Sequence, residues 1–370
     1  MTRQTSHNRP YRFDIQTKSL FAKTVATNMN MIRRSFFRCF FKNRLIILMY
    51  HGVVNEPLSV PDWCFIGSQD FLEQLRYLKA NFDVLPLSQA VNKLQAGNIQ
   101  NPTVSVTFDD GFLNNYEVAY PITSKLQIPI TIFVSTQFVD TNRTLWYCRL
   151  NMALSKTRKK HVIWRGVRYS IENVSQKSKL SSLLQRELKK MTHVALLDET
   201  DKIIAALGLD ADAELDPKSP FKVLSSEAIR LMSQSGSVEI GAHTHSHAIL
   251  SRLEPDEKRE EILNSVRLVE NWTNSSCKAF AYPNGRFEDY DAACIQLLRD
   301  HHIENAVTGN AHSNVPATSR LELGRYGIGS DTALGSFKLL VHGITPAVKR
   351  FGSKYLSKVN ARRDGNLRMR

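Results

Sequence analysis

The amino-acid sequence predicts an α/β protein built on a mostly parallel sheet or barrel. Three observations carry this. Short apolar, β-branched runs alternate with amphipathic stretches along most of the chain, the order that βαβ units produce. Four of the runs end directly in polar groups, at His51, Asp109-Asp110, His243 to His247, and Tyr282-Pro283-Asn284-Gly285. In parallel barrels, residues at the carboxyl ends of the strands converge on one rim. The chain has 370 residues, 42% hydrophobic and 23% charged, enough to bury a substantial core in one large domain or two modest ones.

The elements follow in order. Residues 44–50, an apolar run, read as a buried strand ending at His51-Gly52. Residues 69–82 place Phe71, Leu72, Leu75 and Leu78 at helical spacing. Residues 84–87 read as a short strand, and Ser88 as the N-cap of a helix running through Leu94. Residues 103–108 form a strand that runs into Asp109-Asp110-Gly111, and the β-branched run 130–135 forms another. Residues 237–241 are a strand leading to His243. Residues 255–272 are an amphipathic helix with Pro255 in its first turn and Ile262, Leu263, Val266 and Val269 on one side. A strand over 278–282 stops at Pro283-Asn284-Gly285. A helix over 289–299 and strands over 304–308 and 322–328 complete the pattern. Between about 141 and 222 the alternation stops. That stretch reads as helical and polar, with a Lys/Arg-rich segment at 156–160 and a loop near 208–220, and is taken as an insertion on the barrel. There is no internal repeat.

Composition narrows the function classes. No run of about 18 apolar residues is present, so a conventional membrane span is excluded. Five cysteines, at 39, 64, 148, 277 and 294, form no CxxC pair, which argues for reduced thiols rather than a disulfide framework or a thiolate zinc site. The net charge of +14 sits at the ends: residues 1–44 carry +9, residues 345–370 carry +7, and the stretch between them carries −2. Three regions follow: a basic, aromatic segment over 1–43, the barrel with its insertion over 44–345, and a basic tail over 346–370. Basic ends suit anionic lipid headgroups, nucleic acid or acidic polymers, or are simply solvated tails. No zinc finger or RNA-recognition motif supports nucleic-acid binding. Arg33-Arg34 is followed by an apolar run broken by Arg38, Lys42 and Arg44, without a small-residue cleavage site, so it does not read as an export signal. Phe36, Phe37, Phe40 and Phe41 among these arginines read as an interfacial segment. The expected location is the cytoplasm or the cytoplasmic membrane face, held peripherally against anionic lipid.

The strand-end groups are of the residue types that a catalytic metal site needs. One aspartate and two histidines offer three ligands to a divalent cation and leave positions open for water and substrate. A second carboxylate can then act on that water. Taken singly, Asp-Asp-Gly and Tyr-Pro-Asn-Gly are also turns, an H-x-x-x-H pair also occurs on surfaces, and His245 between the pair leaves the ligating nitrogens open. The combination, each member following a strand, carries the inference.

These residues resemble a known family. Thr107-Phe108-Asp109-Asp110-Gly111, the Gly241 to His247 segment and Phe280 to Gly285 are similar to the three motifs of polysaccharide deacetylases with the NodB-homology domain, carbohydrate esterase family four. Leu48-Met49-Tyr50-His51-Gly52 and the segment Phe71 to Leu87 resemble the exopolysaccharide-type subgroup, whose motif histidine stands at the start of the domain. The resemblance covers about 44–140 and 222–330. It implies a distorted (β/α) barrel and a metal-dependent hydrolase that removes N-acetyl groups from a polysaccharide or a lipid-linked or oligosaccharide glycan. Asp109 matches the general base. Asp110, His243 and His247 match the ligands of a divalent metal, with zinc favoured and nickel, cobalt or iron also suited. Thr244 matches a supporting hydroxyl and His51 the general acid. The backbone N–H of Asn284, after Tyr282 and Pro283, matches an oxyanion donor. The family's third motif often begins with an arginine that orients the base. Ala281 stands there, as in the subgroup, which leaves Arg286 or Arg325 to supply the charge. Related chains often carry an acidic residue after the tryptophan of the insertion, where Trp146-Tyr147-Cys148 has cysteine. The alternatives are an O-acetyl esterase or another carbon–nitrogen amide hydrolase on the same fold, and a non-catalytic glycan-binding relative, which would be expected to lack the base or a ligand.

Overall fold

The computed structural model describes residues 42–344. The basic segments of the two ends, with Phe36, Phe37, Phe40 and Phe41, lie outside the described residues apart from Lys42, Asn43 and Arg44. Residues up to Thr332 fall in one compact unit and those from Ala333, with helix Leu334–Val341, in a second. Among the described residues no helix is long and apolar enough to cross a membrane.

The first unit is built on an eight-stranded parallel sheet. Its strands are β1 (Leu45–Tyr50), β4 (Asp83–Val84), β5 (Thr103–Phe108), β6 (Ile130–Val134), β9 (Val238–Ala242), β10 (Ala279–Ala281), β11 (Asn305–Val307) and β12 (Tyr326–Gly327). β1 lies along β5 from Leu45 opposite Thr103 to Tyr50 opposite Phe108. β5 pairs with β4 at its start and with β6 at its end. β6, β9, β10 and β11 follow side by side, and β12 lies on the other side of β1. Leu323 bridges to Val307, so the segment leading into β12 crosses from the β11 edge to the β1 edge and closes a distorted barrel. All residues of β5 and β6 are buried, as expected of parallel strands covered on both faces.

Helices pack against the sheet. α1 (Ser68–Asn81) buries Phe71, Leu75 and Leu78 at the predicted spacing. α8 (Pro255–Thr273) packs Ile262, Val266 and Val269 with Phe280, Leu298 and Ile303, α9 (Ala292–Asp300) supplying Leu298. α2 (Leu87–Gln95) packs Leu87, Ala90, Val91 and Leu94 against Leu45, Ile47, Phe133, Ala281 and Val307. Each such fully buried aliphatic side chain contributes about 1.5–3 kcal/mol relative to exposure. The strand expected over 84–87 and the expected Ser88 cap both differ in the structure. The strand is Asp83–Val84, and Pro86 is the N-cap, with φ −51° preset by its ring. The Ser88 N–H and hydroxyl instead donate to the Glu239 carboxylate of β9, so a distant acid accepts one backbone N–H of the helix terminus.

The insertion holds α4 (Trp146–Lys156), α5 (Val174–Leu188) and α6 (His193–Ala206). It also contains a hairpin that the helical reading overlooked, β7 (His161–Trp164) paired antiparallel with β8 (Val167–Ser170). Its turn places Arg165 and Gly166 at φ 50° and 75°, the geometry of a two-residue hairpin loop. Two small parallel strands, β2 (Gly52–Val54) and β3 (Phe65–Gly67), follow the end of β1. α3 (Tyr120–Leu126) and α7 (Ser226–Gln234) lead into β6 and β9.

Candidate active site

The buried run of β5 delivers Asp109 and Asp110 together at its carboxyl end. The Asp109 N–H continues the ladder to the Tyr50 carbonyl at 2.9 Å. The chain then turns sharply, with Asp110 and Gly111 both at φ 72°. A side chain at Gly111 would press on Val134. Thr244, His247 and Asn284 also sit at positive φ, between 59° and 60°. Four non-glycine residues thus hold the less favoured left-handed conformation around one site, an arrangement maintained only where the surrounding packing over-determines it.

The two carboxylates have different partners. Arg325 meets Asp109 with a two-pronged contact, Nη1 to Oδ1 at 2.6 Å and Nη2 to Oδ2 at 2.7 Å, with both side chains buried. Two of its remaining three donors go to the Thr308 carbonyl and the Thr107 hydroxyl. Burial raises the Asp109 pKa, but the Arg325 guanidinium, helped by His243 and His51, holds it below the ordinary carboxylate value. Asp110 instead faces two imidazoles. Its Oδ1 lies 3.2 Å from His247 Nε2 and 3.5 Å from His243 Nε2, and it takes no hydrogen bond although buried. Its Oδ2 accepts a hydrogen bond from the Tyr147 hydroxyl at 2.5 Å. Burial raises the Tyr147 pKa, so the phenol stays protonated and donates.

This donor set fits a divalent cation. One ligand atom from each of Asp110, His243 and His247 lies within 4.8 Å of the others. The His243 Nδ1 lies 2.7 Å from the Ala281 carbonyl, which assigns its proton to Nδ1 and leaves the Nε2 lone pair facing Asp110. Burial pushes the His243 pKa down to about 4, so the ring is neutral near pH 7. Three Lewis bases turned toward one another, with an unsatisfied Oδ1 among them, are electrostatically incomplete without a cation. His245, between the pair, meets Thr136 Oγ1 through its Nδ1 at 2.9 Å and is not part of the cluster.

His51, Asp109, Asp110, His243, His247 and Asn284 line one cavity of about 70 Å³, together with Met49, Trp63, Cys64, Tyr147, Gln185 and Lys189. His51 packs edge-on to Trp63 at 5.1 Å. Its carbonyl accepts from Asn115 Nδ2 at 2.6 Å. That residue opens a π turn, Asn115–Ala119, after β5, an irregularity common near functional sites. The Asn284 side chain accepts from Lys189 Nζ at 3.0 Å and donates to Asp289 at 2.5 Å. Its backbone N–H has no acceptor among the described residues. Thr244 is buried, with its hydroxyl unpartnered, and its carbonyl accepts from the Thr136 N–H. Two expected site residues lie elsewhere. Tyr282 stacks on Tyr290 at 4.1 Å and donates to the Leu321 carbonyl, inside the core. Arg286 is exposed, 3.8 Å from Glu288, so Arg325 rather than Arg286 meets Asp109. Pro283 serves the turn, its carbonyl accepting from the Gly285 N–H. Tyr147, Gln185 and Lys189 were not expected in the site. The only signal was Trp146-Tyr147-Cys148, and nothing local marks Gln185 or Lys189.

Comparison with known proteins matches residues 96–306 to the polysaccharide deacetylase family model. The chain belongs to the polysaccharide deacetylase family. Members of this metal-dependent family hydrolyse N-acetyl amide bonds of acetylated polysaccharides. A curated relative, YxkH of Bacillus subtilis (strain 168), carries a provisional polysaccharide deacetylase name and is 32% identical over 94 residues. Those residues are 25% of this chain and 32% of YxkH, so the chain spans about a third of the length of the curated relative it matches. Among solved structures, the Streptococcus pyogenes deacetylase PplD in complex with acetate superposes with a TM-score of 0.53 at 18% identity, covering 80% of this chain and 98% of PplD. IcaB from Ammonifex degensii gives 0.52 at 20% identity, covering 80% and 97%. At these identities the likeness is one of fold, and it agrees with the distorted barrel described above.

Proposed function

We propose that this polysaccharide deacetylase family member is a metal-dependent hydrolase that releases acetate from N-acetylated sugars of a glycan. One observation carries the reading: the carboxylate pair is split between two environments, Asp109 on Arg325 and Asp110 on two imidazoles, inside one cavity that also holds His51. Asp110, His243 and His247 would hold the cation, and zinc suits this oxygen–nitrogen set. When bound, it supplies Lewis acidity to the acetyl carbonyl and lowers the pKa of water.

The chain's own residues carry the remaining steps. Arg325 keeps Asp109 ionised and oriented, so Asp109 accepts the proton of the attacking water. The water oxygen forms a bond to the amide carbon, and the carbonyl electron pair moves to oxygen. In this reading the backbone N–H of Asn284, which has no acceptor among the described residues, donates to that oxyanion. His51 delivers a proton to the departing nitrogen as the C–N bond breaks, leaving acetate and a free amine. Tyr147 retains its proton throughout and fixes the second oxygen of Asp110.

The test combines metal analysis with acetate release from N-acetylglucosamine oligomers. The wild type should bind one divalent ion per chain and release acetate, and Asp110→Ala and His243→Ala should lose both. Full metal occupancy in both variants would overturn the ligand assignment. Release from O-acetylated but not N-acetylated glycans would move the reading to an esterase.

A further inference from the structure

The insertion contributes a cation to the cavity that the hydrolytic steps do not use. Lys189, the C-cap of α5, lines the cavity beside Asp110 and His247. Its Nζ makes one hydrogen bond, to the neutral side-chain oxygen of Asn284. An ammonium has three donors, and among the described residues no carboxylate lies within 4.0 Å of this one. The carboxylates in its neighbourhood are committed elsewhere. Asp62 accepts from the Cys64 N–H and from Gln185. Asp289 accepts from the Asn284 side chain and the Arg286 N–H. Asp109 is matched by Arg325, and Asp110 is shared by the two imidazoles. Burial depresses the Lys189 pKa and Arg286 acts in the same direction, while Cys64, Asp289 and Asp62 act against them without reversing the shift. A half-buried ammonium whose one partner is an amide oxygen is incompletely compensated, and an anion entering the cavity would complete its pairing.

Building on the deacetylase reading, we propose that the glycan accepted here carries an anionic group, a carboxylate or a phosphate, on or beside the acetamido sugar, and that Lys189 pairs with it. The helical insertion then sets substrate charge, while the barrel performs the hydrolysis. Trp63, 43% exposed at the cavity, adds an apolar face against which a sugar ring can lie.

Three probes test this on the metal-loaded full chain: a neutral N-acetylglucosamine tetramer, a hyaluronan tetrasaccharide bearing uronic carboxylates, and N-acetylglucosamine 1-phosphate. Binding by calorimetry and kcat/KM for acetate release are both measured. At least one anionic probe should be preferred over the neutral one, and which one identifies the anion. Lys189→Met should lower that anionic-to-neutral ratio roughly tenfold to a hundredfold, and Lys189→Arg should retain it. Added salt should compress the ratio in the wild type. Equal or better binding of the neutral probe by the wild type overturns the proposal. So does an equal loss for all three probes in Lys189→Met, which would make Lys189 only a support for Asn284. A Lys189-dependent preference without acetate release leaves the anion site standing and rejects the deacetylase reading. Acetate release with no such preference does the reverse.

Discussion

At the residue scale, the Asp109–Arg325 pair decides the protonation state of the proposed base, Asp109. The Asp109 carboxylate is buried, which alone would raise its pKa, and Arg325 reverses the sign. Arg325→Met leaves that carboxylate buried without its cation. Its pKa should then rise above the ordinary value of about 3.9, and the acid limb of the rate–pH profile should move to higher pH. Removing one member of a buried pair also costs about 3–5 kcal/mol of stability, readable by urea titration. An acid limb unmoved in this variant would separate Arg325 from the base. Tyr147 tests the neighbouring carboxylate. Tyr147→Phe removes the 2.5 Å hydrogen bond to Asp110 Oδ2 and changes little else in volume. Metal affinity should weaken about 10–100-fold, as for other groups that orient a ligand from outside the coordination shell, and competition with a chelating dye would measure it.

At the scale of elements, the site depends on where strands stop and on what crosses between them. β5 ends in two aspartates, β9 leads to His243, and β10 ends at Ala281, whose carbonyl orients that histidine. The bend between Leu323 and Tyr326 carries Arg325 to Asp109 while closing the sheet. α2 depends on an acid from another element: Glu239 accepts from the Ser88 N–H, the Ser88 hydroxyl and Thr131. Glu239→Gln keeps the shape but removes the negative charge at the helix N-terminus. It should cost about 1–2 kcal/mol, seen as a lower urea midpoint with an unchanged slope. An unchanged midpoint would assign the termination of α2 to Pro86 alone.

For the whole molecule, stability should fall as the solution is acidified. Burial holds the pKa values of His243 and His342 at about 4, below the usual 6.5. Between about pH 6.5 and pH 4 the unfolded chain therefore binds more protons than the folded one, and stability rises with pH across that window. For metal-free protein, the fully buried His243 alone should contribute a loss on the order of 2–3 kcal/mol between pH 7 and pH 4.5. Urea midpoints measured over this range should slope less in His243→Gln. A flat profile in the wild type would show that these rings are protonated in the native state.

Much of the site was legible because its residues sit in short local motifs at strand ends. Asp109-Asp110-Gly111, the His243 to His247 spacing and His51 after an apolar run could each be read along the chain, and the alternation of strand and helix implied that they meet on one rim. Tertiary structure decided the rest, because proximity across the barrel has no local signature. The choice of Arg325 over Arg286 depends on barrel closure, 216 residues in sequence from Asp109. The acid at the start of α2 is Glu239, 151 residues from the Ser88 N–H that it accepts. Tyr147, Gln185 and Lys189 look like ordinary members of polar helices until the insertion folds them over the cavity. Linear sequence determined which chemistry is present, since side-chain type and strand-end position are local properties. Packing determined which charge meets which, since a buried ion pair is specified by distance in space.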